Sequence, residues 1–558
     1  MKRAIISVSN KKNIVPLAKF LIEHDFIIYS TGGTYKLIEE NLENTDNLLR
    51  ISELTQFPEI LNGRVKTLHP HVYAGLLADK GNKDHTETME NMELPYFDVV
   101  VCNLYPFEQQ NTIENIDIGG VSLIRASGKN YNNIVLLTNQ NQYTEFMENF
   151  DSTNAENMGI CEDLRKSYAS EGFKMTSNYD NLIQQFFSKT TVQLKYGMNP
   201  HQDKTSVLFN DTPFTVINGI LGMINVIDFI HGWLTVKEVD DLLNLPAAIS
   251  MKHTSLAGLA VGKNISRNTL NYFNIDGSGL SDGSEFSELS DVSIAYMKSR
   301  TCDPLSSFGD FICVSRTIDA QTALLIKKEV CDGIAAPDFT QEALEILKTK
   351  KNGRFIIIQM NNEYYNMLLH SGWDESKELY GVKLSQRNNT YRNSFDDIYD
   401  EQSRIDHVLA NSALKYAQSN NISMAVDGQV IGMGCGQQNR VGCVKLAGEK
   451  ANNWVLRQSQ NAYEFWKSDH GSLKRQEKVN LLYDYLSKNN SNITVNNYNI
   501  VMASDGFFPF TDNIGVANTY GVKHVIHPGG SLADQDIQKS CDSYNMSMYI
   551  TNSRMFYH

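Results

Sequence analysis

A short apolar run at residues 4–8 is followed by Ile14, Leu17, Ala18 and Leu21 at helical spacing, and then by a second apolar run at residues 26–29. That change of period reads as strand, helix, strand. Parallel neighbours need a long crossover between them, so a chain that starts this way is committed to a parallel sheet covered by helices. The first run stops at Ser9-Asn10-Lys11-Lys12, too soon for a signal peptide despite the basic start Met1-Lys2-Arg3, and it reads as a buried strand. The alternation continues through Thr31-Gly32-Gly33-Thr34, a helix, Val99-Val100-Val101, a glycine turn at Gly119-Gly120 that opens a helix, and a strand at residues 134–137.

One such sheet uses only part of 558 residues, a length that predicts about three or four folding units. After a polar, helical passage, Lys195-Tyr196-Gly197-Met198-Asn199-Pro200-His201-Gln202 reads as the entrance to a new domain, with the boundary near residue 187. A second polar passage at 386–401 divides the remainder, giving segments 1–187, 188–400 and 401–558. Residues 276–284, rich in Ser, Gly and Asp, read as an exposed loop. Further on, residues 422–426 and 429–433 flank Asp427-Gly428, a dipeptide suited to hairpin turns whose central residues both take positive φ. A helix follows, with Val444, Ala447, Ala451 and Trp454 on its apolar face.

The formal net charge of −14 argues against a nucleic-acid partner, whose phosphates call for a dense basic surface. Anionic ligands must therefore find local basic pockets. No apolar run reaches membrane-spanning length. The eight cysteines, at 102, 161, 302, 313, 331, 435, 443 and 541, include no Cys-x-x-Cys pair, so reduced thiols in a cytoplasmic setting are expected rather than disulfides or zinc.

Several segments carry chemistry. Lys252-His253 ends an apolar run and precedes Ala257-Gly258, read as a small-residue turn; a histidine there can exchange a proton with a weak amine nucleophile while the lysine stabilises negative charge. A structural histidine beside a solvated lysine is the plainer reading of the dipeptide alone. Arg64-Val65-Lys66-Thr67-Leu68-His69-Pro70-His71 concentrates groups that suit a phosphate or an oxyanion, or else forms a solvated loop; its His-x-His lacks a third metal ligand. Thr31-Gly32-Gly33-Thr34, between strand and helix, can wrap amides around a phosphate, and Ser9-Asn10-Lys11 ends the first strand, where open sheets gather ligands. Gly432-Met433-Gly434-Cys435-Gly436 lacks the acidic partner of a dinucleotide fold; Gln437-Gln438-Asn439-Arg440 offers a polar ligand amides and a guanidinium, or is a structural joint. Residues 504–513 combine Phe507, Phe508 and Phe510 with Asp505 and Asp512, able to sandwich a planar heterocycle and read its edge, or to form core.

Taken in this order, these segments resemble the bifunctional family that joins 5-aminoimidazole-4-carboxamide ribonucleotide (AICAR) formyltransferase to inosinate (IMP) cyclohydrolase. The resemblance spans nearly the whole chain and rests on Ser7-Val8-Ser9, Gly32-Gly33-Thr34, residues 63–70, 102–107, 116–129, 196–202, Lys252-His253, 306–310, 436–450, 507–513 and 552–558. Leu256 stands where the family commonly has proline, Lys195 where it has arginine, and the 454–500 region is shorter than in the animal enzymes.

The resemblance implies an α/β fold: a methylglyoxal-synthase-like parallel-sheet domain at 1–187, then two cytidine-deaminase-like subdomains at 188–400 and 401–558 without zinc. It implies transfer of a formyl group from 10-formyltetrahydrofolate to the 5-amino group of AICAR, then closure of the formylated product (FAICAR) to IMP, with no catalytic metal. His253 would take the amine proton and Lys252 would assist at the folate side, while Lys195, Tyr196, Gly309, Asp332, Asn420, Arg440, Phe507 and Arg554 match nucleotide-binding positions. Val441, Asp512, Ser531 and Leu532 match folate-contacting ones. For ring closure, Lys66 and Tyr105 would stabilise the oxyanion and Asp117 and Lys129 would handle protons. Ser9, Asn10, Lys11, Thr31, Gly32, Gly33, Thr34, Arg64, Thr67, Cys102, Asn103 and Ile118 would bind the nucleotide. A homodimer sharing the formyltransferase site is expected, with nucleotide and folate as partners and neither nucleic acid nor membrane. A member retaining one activity, and a nucleotide-sensing regulator, are the alternatives.

Overall fold

The computed structural model of the chain describes residues 2–61, 64–108, 112–151, 159–187, 191–203, 205–209, 212–275, 289–371, 373–468, 470, 473–489 and 497–558. Gly63 of the basic segment, residues 188–190 at the first boundary and the whole 276–284 stretch lie outside the described residues. The chain divides into two compact units, Met1–Lys189 and Thr190–His558.

In the first unit, β1 (Lys2–Val8), β2 (Phe26–Ser30), β3 (Leu48–Arg50), β4 (Val99–Asn103) and β5 (Val135–Leu137) form a sheet in the order β3-β2-β1-β4-β5. Every pairing is parallel, as the opening alternation predicts. In β1, Ala4, Ile6 and Val8 pack with Leu17, Leu21 and Phe146, while Ile5 faces the other way onto Leu76, Leu123 and Ile124. Both faces are thus covered, and each fully buried Ile or Leu contributes about 1.5–3 kcal/mol. The strand order reverses between β1 and β4. Loops leaving their carboxyl ends diverge there and open a crevice.

The second unit contains β6 (Thr191–Gln193) paired with β7 (Ser206–Leu208), and an exposed hairpin of β14 (Asp374–Leu379) and β15 (Val382–Arg387). Its main sheet comprises β8 (Phe214–Asn218), β9 (Ala247–Lys252), β10 (Ser255–Val261), β11 (Asp310–Val314), β12 (Cys331–Ala336), β13 (Ile356–Met360), β16 (Ile422–Val426), β17 (Gln429–Gly434), β18 (Ile500–Ser504), β19 (Val522–His527) and β20 (Ser547–Ile550). Their order is β20-β19-β18-β16-β17-β10-β9-β11-β12-β13-β8, so strands from either side of the 386–401 passage form one 11-stranded sheet joined where Ala260 faces Gln429. One buried cluster takes Phe229, Ile249 and Phe311 from one side and Ala425, Val501 and Ile526 from the other.

Two hairpins matter for the site. The turn between β16 and β17 has Asp427 at φ 51° and Gly428 at φ 72°, as the dipeptide predicts. The other departs from the sequence reading. The chain reverses at His253-Thr254, with Lys252 opposite Ser255, whereas Ala257-Gly258, expected as the turn, lies within β10. A Cβ on Gly258 would fall 2.1 Å from the Ser299 carbonyl oxygen, so glycine there lets the helix Asp291–Cys302 lie against the strand.

The register brings functional positions to one edge. The carboxyl end of β9 lies beside the amino ends of β11 and β12, and the carboxyl ends of β17, β18 and β19 share that edge with the amino end of β16. The halves meet there, where the Cys435 Sγ sits 3.8 Å from the Ser255 Oγ.

Candidate active sites

The crevice at the β1/β4 switch point holds a cavity of about 550 Å³. It is lined by Ser9, Lys11, Thr31, Gly33, Thr34, Arg64, Lys66, Thr67, Asn103, Tyr105, Asp117 and Ile118, twelve of the expected first-unit residues. Ser7, Ile116 and Gly119 line it as well. Asn103 ties the two loops: its Oδ1 accepts from the Ser9 amide at 2.7 Å and the Asn10 amide at 2.9 Å, and its Nδ2 donates to the Asn10 carbonyl. The helix Gly32–Asn41 opens into the cavity without a side-chain cap or an acidic residue in its first turn. Its free amides and dipole favour an anion, and the Lys11 Nζ lies 3.7 Å from where a Cβ of Gly33 would be. Arg64 pairs with exposed Glu114, an ion pair of the kind a bound anion displaces at little cost.

Asp117, which lines the cavity, sits just before the helix Gly119–Lys129, where its Oδ1 accepts from the Gly120 amide at 2.7 Å. Burial pushes its carboxyl pKa up, while the Gly120 and Tyr105 amides and the Lys66 charge draw it partly back. A carboxyl held this way exchanges protons nearer neutrality than a free aspartate does.

A residue absent from the sequence reading holds this loop. Tyr179, on the helix Glu162–Phe187, accepts from the Asp117 amide at 2.9 Å and donates to the Asn115 carbonyl at 2.6 Å. Its ring and that of Phe186 pack on Phe107, two residues beyond Tyr105. Tyr179→Phe keeps the ring and removes both hydrogen bonds, so a reaction catalysed in this crevice is expected to slow about tenfold, as ~1.4 kcal/mol of lost positioning would give. A rate for that reaction within twofold of the parent would contradict this.

Four expected residues of this unit lie outside the cavity lining. Asn10 faces solvent, and Gly32 forms the helix start behind Gly33. Cys102 is fully buried on β4, its thiol directed at the Gly120 carbonyl and its pKa raised by burial. Lys129 is exposed at the far end of its helix, roughly 15 Å along the axis from Gly119 by helical rise, which separates it from Asp117. His69, part of the His-x-His, caps the helix Pro70–Leu77 by accepting from the His71 amide.

In the second unit, Lys252 and His253 stand at the β9/β10 turn with His253 exposed, and the Lys252 Nζ donates to the Phe308 carbonyl. The next residue, Gly309, has φ 77° and open space where a side chain would project; its amide donates to the Val330 carbonyl. Asp332 on β12 pairs with Lys351 at 2.7 Å. Tyr196 packs on Gly222 at the start of the helix Met223–Leu243, and the Lys195 amide donates to the Leu221 carbonyl.

Further along the edge, a cavity of about 430 Å³ is lined by Asn420, Arg440, Val441, Phe507 and Asp512, together with Gln438, Asn439, Pro509, Phe510, Asn513 and Phe556. Arg440 donates to the Asn420 Oδ1 at 2.8 Å and to the Ser504 Oγ at 2.9 Å, and forms a buried ion pair with Asp505. The Arg554 guanidinium lies 4.5 Å over the Phe556 ring. Two details correct the aromatic reading. Phe508 is core rather than site, fully buried in the cluster that includes Ile514, Ala517 and Val525, and Asp505 is held by Arg440, the Ser419 hydroxyl and the Asn421 amide, leaving only Asp512 of the two carboxylates at the cavity. Ser531 and Leu532 lie outside the lining, in the loop after β19, with Leu532 fully exposed.

Comparison with known proteins follows the same division. The MGS-like domain family matches residues 13–127, and the AICARFT/IMPCHase bienzyme family matches residues 127–450. The bifunctional purine biosynthesis protein PurH of Macrococcus caseolyticus (strain JCSC5402) is 32% identical, with 100% of each chain covered. Proteins of the same description from Staphylococcus epidermidis (strain ATCC 12228) and Clostridium perfringens (strain ATCC 13124) are each 31% identical, again over 100% of both chains. A family match over more than half the chain, with relatives aligned from end to end, means that this chain belongs to the AICARFT/IMPCHase bienzyme family.

Proposed function

We propose that this bifunctional AICAR formyltransferase and IMP cyclohydrolase of purine biosynthesis divides its chemistry between its two units, formyl transfer at the Lys252-His253 turn and ring closure in the β1/β4 crevice. The observation that carries this reading is that the two residue sets are disjoint and lie in separately packed units.

The formyl donor is folate-derived, and we take it to be 10-formyltetrahydrofolate. The 5-amino group of AICAR attacks the formyl carbon, His253 accepts the amine proton, and the C–N10 bond breaks as N10 takes up a proton returned from His253, releasing tetrahydrofolate. Lys252 stabilises the charge that develops on the formyl oxygen. Lys195, Tyr196, Gly309, Asp332, Asn420, Arg440, Phe507 and Arg554 hold the nucleotide in this reading, and Val441, Asp512, Ser531 and Leu532 meet the folate. In the crevice, the carboxamide nitrogen of FAICAR attacks the new formyl carbon and water leaves. Both reacting groups belong to one molecule, so orientation supplies much of the rate. Lys66 and Tyr105 stabilise the oxyanion, Asp117 moves protons, and the amides at the start of the helix Gly32–Asn41 with Lys11 and Arg64 seat the phosphate. Lys129, at the far end of its helix from Asp117, takes no proton-transfer role in this reading.

Neither reaction calls for a metal, and the expected setting is a cytoplasmic homodimer sharing the formyltransferase site. Among the described residues, no helix is long and apolar enough to cross a membrane. Purified chain supplied with AICAR and 10-formyltetrahydrofolate is expected to form IMP, followed spectroscopically. Nucleotide binding without IMP would favour a sensor instead.

A further inference from the structure

The turn that presents His253 is one its own sequence disfavours. Both central residues have positive φ, 53° at His253 and 61° at Thr254; histidine enters this region more readily than most residues, but β-branched threonine does not. Positive φ brings an L side chain's Cβ against the following carbonyl, and for a β-branched residue such as threonine it is a true outlier. The hairpin at Asp427-Gly428 solves the same problem with residues that tolerate it. Something outside the loop must hold His253-Thr254.

One side chain does so. Asp228, in the second turn of the helix Met223–Leu243 and 4% exposed, accepts the Thr254 amide on its Oδ1 at 2.7 Å. Within a two-residue hairpin loop the amide of the second loop residue has no partner across the ladder, so this bond anchors the loop to the helix beneath. We propose that Asp228 is a positioning residue for formyl transfer: it fixes the His253-Thr254 turn in its positive-φ form and so aims the His253 ring at the amine. This rests on the reading of His253 as proton acceptor.

The location of Asp228 supports a role beyond filling space. Burial, then the nearby carboxylates of Asp332 and Asp310, push its pKa up to about 7, so holding a carboxylate there is costly. Either form of the carboxyl can accept the Thr254 amide, and the ionised form makes the stronger bond, which suits a turn that must be kept from relaxing. Without it, the loop can return to negative φ and splay the strands, displacing His253. A displacement of about 1 Å at a reacting group can cost on the order of 100-fold.

The test uses the full chain and measures formyl transfer, AICAR binding and cyclisation. Asp228→Ala is expected to lower the kcat of formyl transfer by on the order of 10–100-fold, with AICAR affinity within about threefold and cyclisation unchanged. Asp228→Ala combined with Thr254→Gly is expected to regain about tenfold, since glycine takes positive φ freely. Unchanged kcat in Asp228→Ala, loss of AICAR binding along with kcat, or no recovery in the double variant would each overturn the proposal. His253→Ala in the same series separates the two levels: if it retains formyl transfer the assignment of His253 falls, whereas if it alone is inactive only the role of Asp228 fails.

Discussion

Replacing His253 with alanine is expected to lower formyl transfer about 10²–10⁴-fold, the span a positioned general base contributes, and to leave cyclisation of pre-formylated nucleotide at the parent rate. The substitution is clean in structural terms. His253 is exposed in its turn, so the substitution removes no buried contact, and alanine at φ 53° adds only a modest backbone cost. Lys252 stays tethered to the Phe308 carbonyl and can still stabilise charge, which is why residual activity above background is expected. Initial rates for the two half-reactions check the outcome. Loss of both activities would contradict the separation of sites.

The complementary change is Lys66→Ala, expected to slow cyclisation about 10²–10³-fold, the effect of removing one preorganised oxyanion stabiliser, with formyl transfer preserved. It also carries a pH signature of known sign. The Lys66 charge is one of the influences that lower the Asp117 pKa against burial. Without it the carboxyl is protonated up to a higher pH, so any limb of the cyclisation pH–rate profile that Asp117 governs should move upward in the variant. A profile that moves downward would remove Asp117 from the proton-transfer role.

The sequence made some parts legible and hid others for identifiable reasons. Its alternation of apolar runs and helical spacing gave away the parallel sheet, because burial on both faces leaves a continuous apolar strand. Asp427-Gly428 announced its hairpin because its φ values demand such residues. The turn at His253-Thr254 carries no such signal, since a tertiary hydrogen bond from Asp228 supplies what composition lacks, and Gly258 misled because its smallness serves helix packing. Tyr179 and Asp228 act on backbone amides 62 and 26 residues away, and no local pattern marks such contacts. The basic and glycine-rich segments of the first unit converge on one cavity because the β1/β4 switch point gathers them. Lys129 sits beside them in sequence but at the other end of a helix in space.

Mixing the two single variants tests the division of labour most directly. Alone, Lys66→Ala with AICAR and 10-formyltetrahydrofolate should accumulate FAICAR and form little IMP, and His253→Ala should form only a trace of either. Combined, they should restore IMP formation to roughly the rate of formyl transfer by the first, since one variant makes the intermediate and the other closes its ring. Failure of the mixture to form IMP, or IMP formation by Lys66→Ala alone at the parent rate, would contradict the assignment of the two reactions to separate clusters.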